Sequence, residues 1–191
     1  MIDWIGKILK EISSPLTRVL AYYRIPPNAV TIGGFILSIV SAYFYTRGLF
    51  LIGGIVLLLS GLLDMIDGEL SRLLNLETRF GAFLDSTLDR ISECIIFLGI
   101  AIFLGSINFR YIVLVILALS GSLMVSYTRA RAEGLDVPGR VGIFERGVRF
   151  FFLLIGYFFG PNVMVYILVI LILGTLSTII QRMIFVYHKC R

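Results

Sequence analysis

Residues 50–67 read FLIGGIVLLLSGLLDMID, an apolar run that closes on two aspartates, Asp64 and Asp67. A helix needs roughly 20 apolar residues to cross the hydrocarbon of a bilayer, and this run has the length and composition of a span. Stretches of the same character lie near 28–46, 83–105, 110–128, 148–159 and 162–181. The stretch at 148–159 is short and is expected to borrow residues from its flanks. The composition agrees: 58% of the 191 residues are hydrophobic, 15% are charged and the mean hydropathy is +0.96, whereas a soluble domain is about one quarter charged. Six spans leave about 70 residues for connections, too few for a second, soluble domain. The expected fold is therefore an all-α integral membrane protein with six transmembrane helices.

With an even number of spans both termini lie on one side, which allows every charge to be sorted. Fifteen of the 17 Lys and Arg fall on the side of the termini and only Arg47 and Arg110 on the other. All 12 Asp and Glu sort with the majority. This bias places both termini and the long loops in the cytoplasm. In so apolar a chain the net charge of +5 points to topology and anionic lipid, and no nucleic-acid partner is expected. Cys94 and Cys190 form neither a metal-like spacing nor a disulfide framework.

Residues 1–25 form an N-terminal region ahead of a membrane domain at 26–191. Trp4, Ile5, Ile8, Leu9, Ile12, Leu16, Val19, Leu20 and Tyr23 recur at helical spacing with Lys7, Lys10 and Glu11 between them. This is the pattern of an amphipathic helix lying in the membrane interface, with Pro15 expected to break or kink it. The same charges are too frequent for the apolar core of a signal peptide, so cleavage is not expected. Arg24-Ile25-Pro26-Pro27-Asn28 then reads as a stop followed by an Asn cap for the first span.

The acids stand where a membrane protein has few. Asp64 and Asp67 are three residues apart, Asp85 and Asp89 four, so each pair shares one helix face. Gly68 and Arg72 continue the first stripe and Gly81 begins the second, the glycines permitting close approach of the two helices. A charge at the bilayer centre costs at least about 2.5 kcal/mol unless it is paired or solvated. Four converging carboxylates therefore require divalent cations, protonation, or neutralisation by Arg72, Arg79 and Arg90. Oxygen-only ligands favour Mg²⁺ or Mn²⁺, and two such ions suit in-line displacement at phosphorus.

The string Asp64-x-x-Asp67-Gly68-x-x-Ser71-Arg72, eight residues, Gly81-x-x-x-Asp85-x-x-x-Asp89 resembles the signature of the CDP-alcohol phosphotransferase family, DxxDGxxAR, eight residues, GxxxDxxxD. Every spacing matches, and Ser71 replaces the family's Ala. The resemblance covers nearly the whole chain, because the family's catalytic domain also has six spans after an interfacial helix. It implies an enzyme that joins a CDP-linked donor to an alcohol and releases CMP. It further implies that Asp64, Asp67 and Asp85 hold the metal, with Asp89 beside it as a fourth carboxylate and the catalytic base. Gly68, Ser71, Arg72 and Gly81, together with Asp64 and Asp67, would line the cytidine diphosphate site. Asn28 and Thr31 resemble family positions that touch the nucleotide, and ordinary helix capping accounts for them equally well. Members resembling this chain are homodimers.

A second constellation is basic. Arg129 and Arg131 close the span at 110–128 and Arg146 and Arg149 open the next, with Arg140 between. Guanidinium forks so placed suit a phosphate dianion, with Glu133 and Glu145 able to orient them and Arg182 able to close the pocket. The strings at 126–133 and 145–149 resemble the branch of the family that makes inositol phospholipids from inositol phosphate. There Ser126, Arg129, Arg131, Arg149 and Arg182 would form the acceptor-phosphate pocket. Gly147 stands where relatives often carry Pro, which implies a looser turn. The donor implied is a CDP-lipid, CDP-diacylglycerol or CDP-archaeol. A neighbouring branch shares these strings and transfers from CDP-inositol to make a soluble diester. Two further readings stay open: a cation or proton pathway, since intramembrane acids also mark relays, and a membrane prenyltransferase, whose Asp-rich motifs are spaced differently. His188 reads as a solvent-facing tail residue.

Overall fold

The computed structural model describes residues 14–139 and 141–190. The expected amphipathic positions Trp4, Ile5, Ile8, Leu9 and Ile12 lie outside them, as do Arg140 and Arg191. The described residues are helical and contain no strand. Helical backbone over 14–22 (α1) precedes α2 (Pro27–Thr46), α3 (Phe50–Leu73), α4 (Arg79–Ile107), α5 (Arg110–Glu133), α6 (Arg146–Phe159) and α7 (Pro161–Lys189). Five of these, α2 to α5 and α7, are long and apolar enough to cross a membrane. At 14 residues, α6 extends only about 21 Å, short of the roughly 30 Å of hydrocarbon. It gains Arg146 and Gly147 from its N-terminal flank but nothing beyond Phe159, where Gly160 at φ 86° and Pro161 stop it. The outward faces are apolar, with Ile32, Ile36, Leu59, Leu98, Ile116, Leu173 and Leu176 all exposed, as lipid-facing surfaces are.

Small residues set the helix approaches. Ser41 of α2 donates its hydroxyl to the Gly53 carbonyl of α3, and Ser60 of α3 donates to the Gly34 carbonyl of α2, both at 2.8 Å. A Cβ on Gly53 would stand 3.2 Å from the Ser41 backbone carbonyl oxygen, so the glycine permits the close approach of α2 and α3. Around this seam α2 packs on α3 and α4, α5 on α4 and α7, and α6 on α3 and α7. The main core, which includes Tyr45, Leu57, Phe97, Ile100, Leu153, Tyr157 and Leu168, fills the space between them. A smaller cluster of Val30, Ile66 and Leu70, joined by Leu20, Ala21 and Ile25, lies at the charged end. There the buried Thr17 of α1 donates to Glu69 of α3 at 3.0 Å.

Several helices outrun their apolar stretches, all at that end: α3 continues to Leu73, α4 begins at Arg79 and α5 reaches Glu133. Acids and arginines are thereby displayed on rigid helix rather than on loops. Asn28 is not a cap. The helix starts at Pro27 with Pro26 preceding it and no side-chain cap, because Pro27 supplies the fixed φ of a first helical residue and has no N–H to satisfy. In the first turn of α6, a Cβ on Gly147 would meet nothing within 4 Å. Gly147→Ala is expected to stabilise the protein by about 0.4–1 kcal/mol, read as a rise in thermal midpoint in detergent.

Candidate active site

The turn between α3 and α4 is short, with Asn75 in the left-handed region at φ 53° and the Thr78 hydroxyl accepting from the Gly81 amide at 2.9 Å. It folds α4 back along α3 and brings the two acidic faces together. Oxygens of Asp64, Asp85 and Asp89 lie within 4.8 Å of one another. Asp67 does not join that group. Its carboxyl is buried, and Oδ2 has no hydrogen-bond partner.

Asp67 and Asp85 instead border a cavity of ≈ 190 Å³ whose wall also includes Asn28, Thr31, Gly68, Ser71, Thr78 and Gly81. The starts of α2 and α4 and the end of α3 thus share one opening. A Cβ on Gly81 would stand 3.0 Å from Thr78 Oγ1 and 3.4 Å from Asn28 Oδ1, so a larger residue there would press on both side chains. Asp64 and Arg72 lie outside the lining; the Arg72 guanidinium folds beside Gly68, one turn away.

Of the arginines expected beside the acids only Arg90 is found there, and a further one joins it. Among the described residues neither Arg72 nor Arg79 pairs with them, and Arg90 reaches Asp89 only at 3.9 Å. Arg146 of α6 is the further one. Its Nη1 donates to Asp64 Oδ2 at 3.0 Å and its Nη2 to Asp64 Oδ1 at 3.1 Å, while Nη2 also pairs with Asp89. Four acids against this one closely seated guanidinium leave negative charge uncompensated. Together with the orphaned Asp67 oxygen and an all-oxygen donor set, this fits a hard divalent cation.

One turn along α6, Arg149 is 2% exposed. Its Nε and Nη2 donate to the Glu93 carboxylate at 3.2 and 3.4 Å, Nη1 to the Phe144 carbonyl and Nη2 to Ser126 Oγ. Ser122 donates its hydroxyl to the same Glu93. Glu93 rather than Glu145 therefore orients this fork. It was legible as the next step of the Gly81, Asp85, Asp89 stripe, but nothing local in the sequence marks its partner. Arg182, 1% exposed, donates to the carbonyls of Val125 and Val141 and to Thr128 Oγ1, and its Nε has no partner. Arg129 pairs with Glu133 at 2.9 Å, and Arg131 is exposed. The basic set thus divides into two buried arginines that tie helices together and two accessible ones at the end of α5.

Membrane-length helices thus gather carboxylates beside a small cavity. The chain belongs to the CDP-alcohol phosphatidyltransferase family, which residues 24–186 match. It is a transferase and a multi-pass membrane protein. It is 40% identical over 185 residues to the archaetidylinositol phosphate synthase of Pyrococcus horikoshii, covering 93% of this chain and 94% of that one. Its fold is similar to that of the phosphatidylinositol phosphate synthase of Mycobacterium tuberculosis with CDP-DAG bound, at a TM-score of 0.84 and 29% identity over 93% of this chain and 94% of that one. A second structure of that synthase, in complex with manganese and citrate, matches at a TM-score of 0.82 and 30% identity, covering 92% and 88%.

Proposed function

We propose that the protein transfers a phosphatidyl-type group from a CDP-lipid to inositol phosphate and releases CMP. The observation that carries this reading is the placement of one cavity, bordered by Asn28, Thr31, Gly68, Ser71 and Gly81, against the Asp64, Asp85 and Asp89 cluster. A nucleotide diphosphate in that cavity has its phosphates at the acids. Mg²⁺ or Mn²⁺, as two ions held by Asp64, Asp67, Asp85 and Asp89, would neutralise the charge that develops on the leaving phosphate. Asp89 accepts the proton of the acceptor hydroxyl as its oxygen forms the new bond to phosphorus; the bond from that phosphorus to CMP breaks, and CMP takes the electron pair. Arg72 reaches the diphosphate from one turn below Gly68. Ser126, Arg129, Arg131, Arg149 and Arg182 form the acceptor's phosphate site, with Arg129 and Arg131 making direct contact and the buried pair setting its floor.

The membrane reading has the same basis. α6 acts as a sixth, short span, and the charged end faces the cytoplasm with both termini. The described part of the 1–25 region lies along the interface ahead of the 26–191 catalytic domain, as supported by the exposed Leu16, Val19 and Tyr22 on α1 and Tyr23 just after it, away from the buried Thr17. The protein works as a homodimer, by similarity to its family.

The test offers CDP-diacylglycerol, CDP-archaeol and CDP-inositol in turn with inositol phosphate and identifies the product. CMP release is expected from a CDP-lipid only with Mg²⁺ or Mn²⁺; turnover undiminished by chelator overturns the metal-dependent reading. Arg131→Ala is expected to raise the acceptor KM at least about tenfold, the loss of a charge-assisted contact of about 1.5 kcal/mol or more. Equal rises in donor and acceptor KM would count against the assigned pocket.

A further inference from the structure

The acids of the active site are already held by a cation of the chain's own. Arg146 engages both oxygens of Asp64 and one of Asp89, and those two residues are among the three whose oxygens converge within 4.8 Å. A guanidinium has five N–H donors and no lone pair to offer a metal. Arg146 and a divalent cation therefore compete for the same carboxylate oxygens, and both cannot be satisfied fully at once.

The two arginines of this turn of α6 differ in what they are free to do. Arg149 is sealed in, its donors spent on Glu93, Ser126 and the Phe144 carbonyl. The Arg146 side chain is 46% exposed, and among the described residues its bonds go to the acids Asp64 and Asp89. Its release therefore breaks contacts with those acids and none of the ties that hold Arg149 to α4 and α5. It stands one turn before Arg149 on α6 and is seated on Asp64 and Asp89, which cluster with Asp85 at the border of the cavity. A released Arg146 fork thus stays within the site, where the anions brought by the reactants are phosphates, and guanidinium binds these bidentately.

We propose that Arg146 is a substrate-binding residue with a second duty. It neutralises Asp64 and Asp89 while the site is without metal, and when a divalent cation takes those carboxylates its fork passes to a phosphate oxygen of the substrate. The proposal rests on the reading that Asp64, Asp85 and Asp89 hold the metal. Two consequences follow from competition and transfer. Arg146 weakens the binding of metal by itself, and it makes metal and phosphate bind cooperatively, because each relieves a cost imposed on the other.

The experiment measures Mn²⁺ binding to the full chain in detergent by the electron paramagnetic resonance of free Mn²⁺. It compares wild type, Arg146→Gln, Arg146→Lys and Asp64→Asn, each alone, with CDP and with inorganic phosphate. Arg146→Gln is expected to bind Mn²⁺ alone about tenfold more tightly than wild type, and Arg146→Lys by a smaller factor, because its ammonium still pairs with a carboxylate but without the fork. In wild type CDP or phosphate tightens Mn²⁺ binding, and whichever does so identifies the phosphate that receives the fork; in the variants the enhancement is largely lost. Without metal, Arg146→Gln melts below wild type, and saturating Mn²⁺ raises its midpoint more.

Mn²⁺ affinity in Arg146→Gln equal to or below that of wild type overturns the proposal. Enhancement by CDP and phosphate unchanged in both variants overturns the transfer of the fork. Mn²⁺ binding in Asp64→Asn equal to wild type is the distinct result that removes the metal reading itself.

Discussion

Asp89→Asn is expected to lower kcat by about 10²–10⁴-fold, the range that a positioned general base contributes, while leaving the thermal midpoint and donor KM close to wild type. The amide keeps the size of the carboxyl but cannot accept the proton that the acceptor hydroxyl must lose. The Asp89 side chain is 12% exposed and faces Arg146, so the change subtracts one charge from an acid-rich cluster and does not open a cavity. Rates of CMP release at saturating donor, acceptor and Mn²⁺ isolate the chemical step from metal affinity. A kcat within about tenfold of wild type would remove Asp89 from the role of base, since even modest general-base catalysis exceeds that factor.

Glu93→Ala is expected to destabilise the fold by about 3–5 kcal/mol, the cost of removing one partner of a buried ion pair. Arg149 is 2% exposed, and among the described residues Glu93 is the acid it pairs with. With Glu93 gone, a guanidinium remains among α4, α5 and α6 with no anion, and the Ser122 hydroxyl loses its acceptor. The double variant Glu93→Leu with Arg149→Met is expected to recover most of the loss, because an apolar pair of similar volume removes the uncompensated charge. Chemical unfolding in detergent measures both. A single-variant loss below about 1 kcal/mol would place the pair among exposed surface bridges and remove Glu93 as the tie between these helices.

Both residues belong to one stripe of α4, yet they were unequally legible. Asp89 stands four residues from Asp85 and eight from Gly81, in the half of the signature whose spacings are turns of one helix, α4. Glu93 continues the stripe, but its role depends on Arg149, 56 residues away. Arg146 lies 82 residues from Asp64, and the sequence ranked Arg72, Arg79 and Arg90 as its neighbours because they are near along the chain. α6 differs: its apolar stretch and its end at Phe159 were legible, and the structure adds Arg146 and Gly147 at its start.

The sequence by itself determined the number of apolar stretches, the gathering of charge at one end and the facing of each aspartate pair, because these depend on hydropathy and helical periodicity within one element. The tertiary structure alone decided which carboxylates converge, that Asp67 turns to the cavity, and which arginines are sealed and which are free. Those choices are made where helices cross. Crossing and rotation depend on small contacts such as Ser41 on Gly53 and Ser60 on Gly34, whose effect on distant side chains is a property of the whole packed bundle and of no segment read alone.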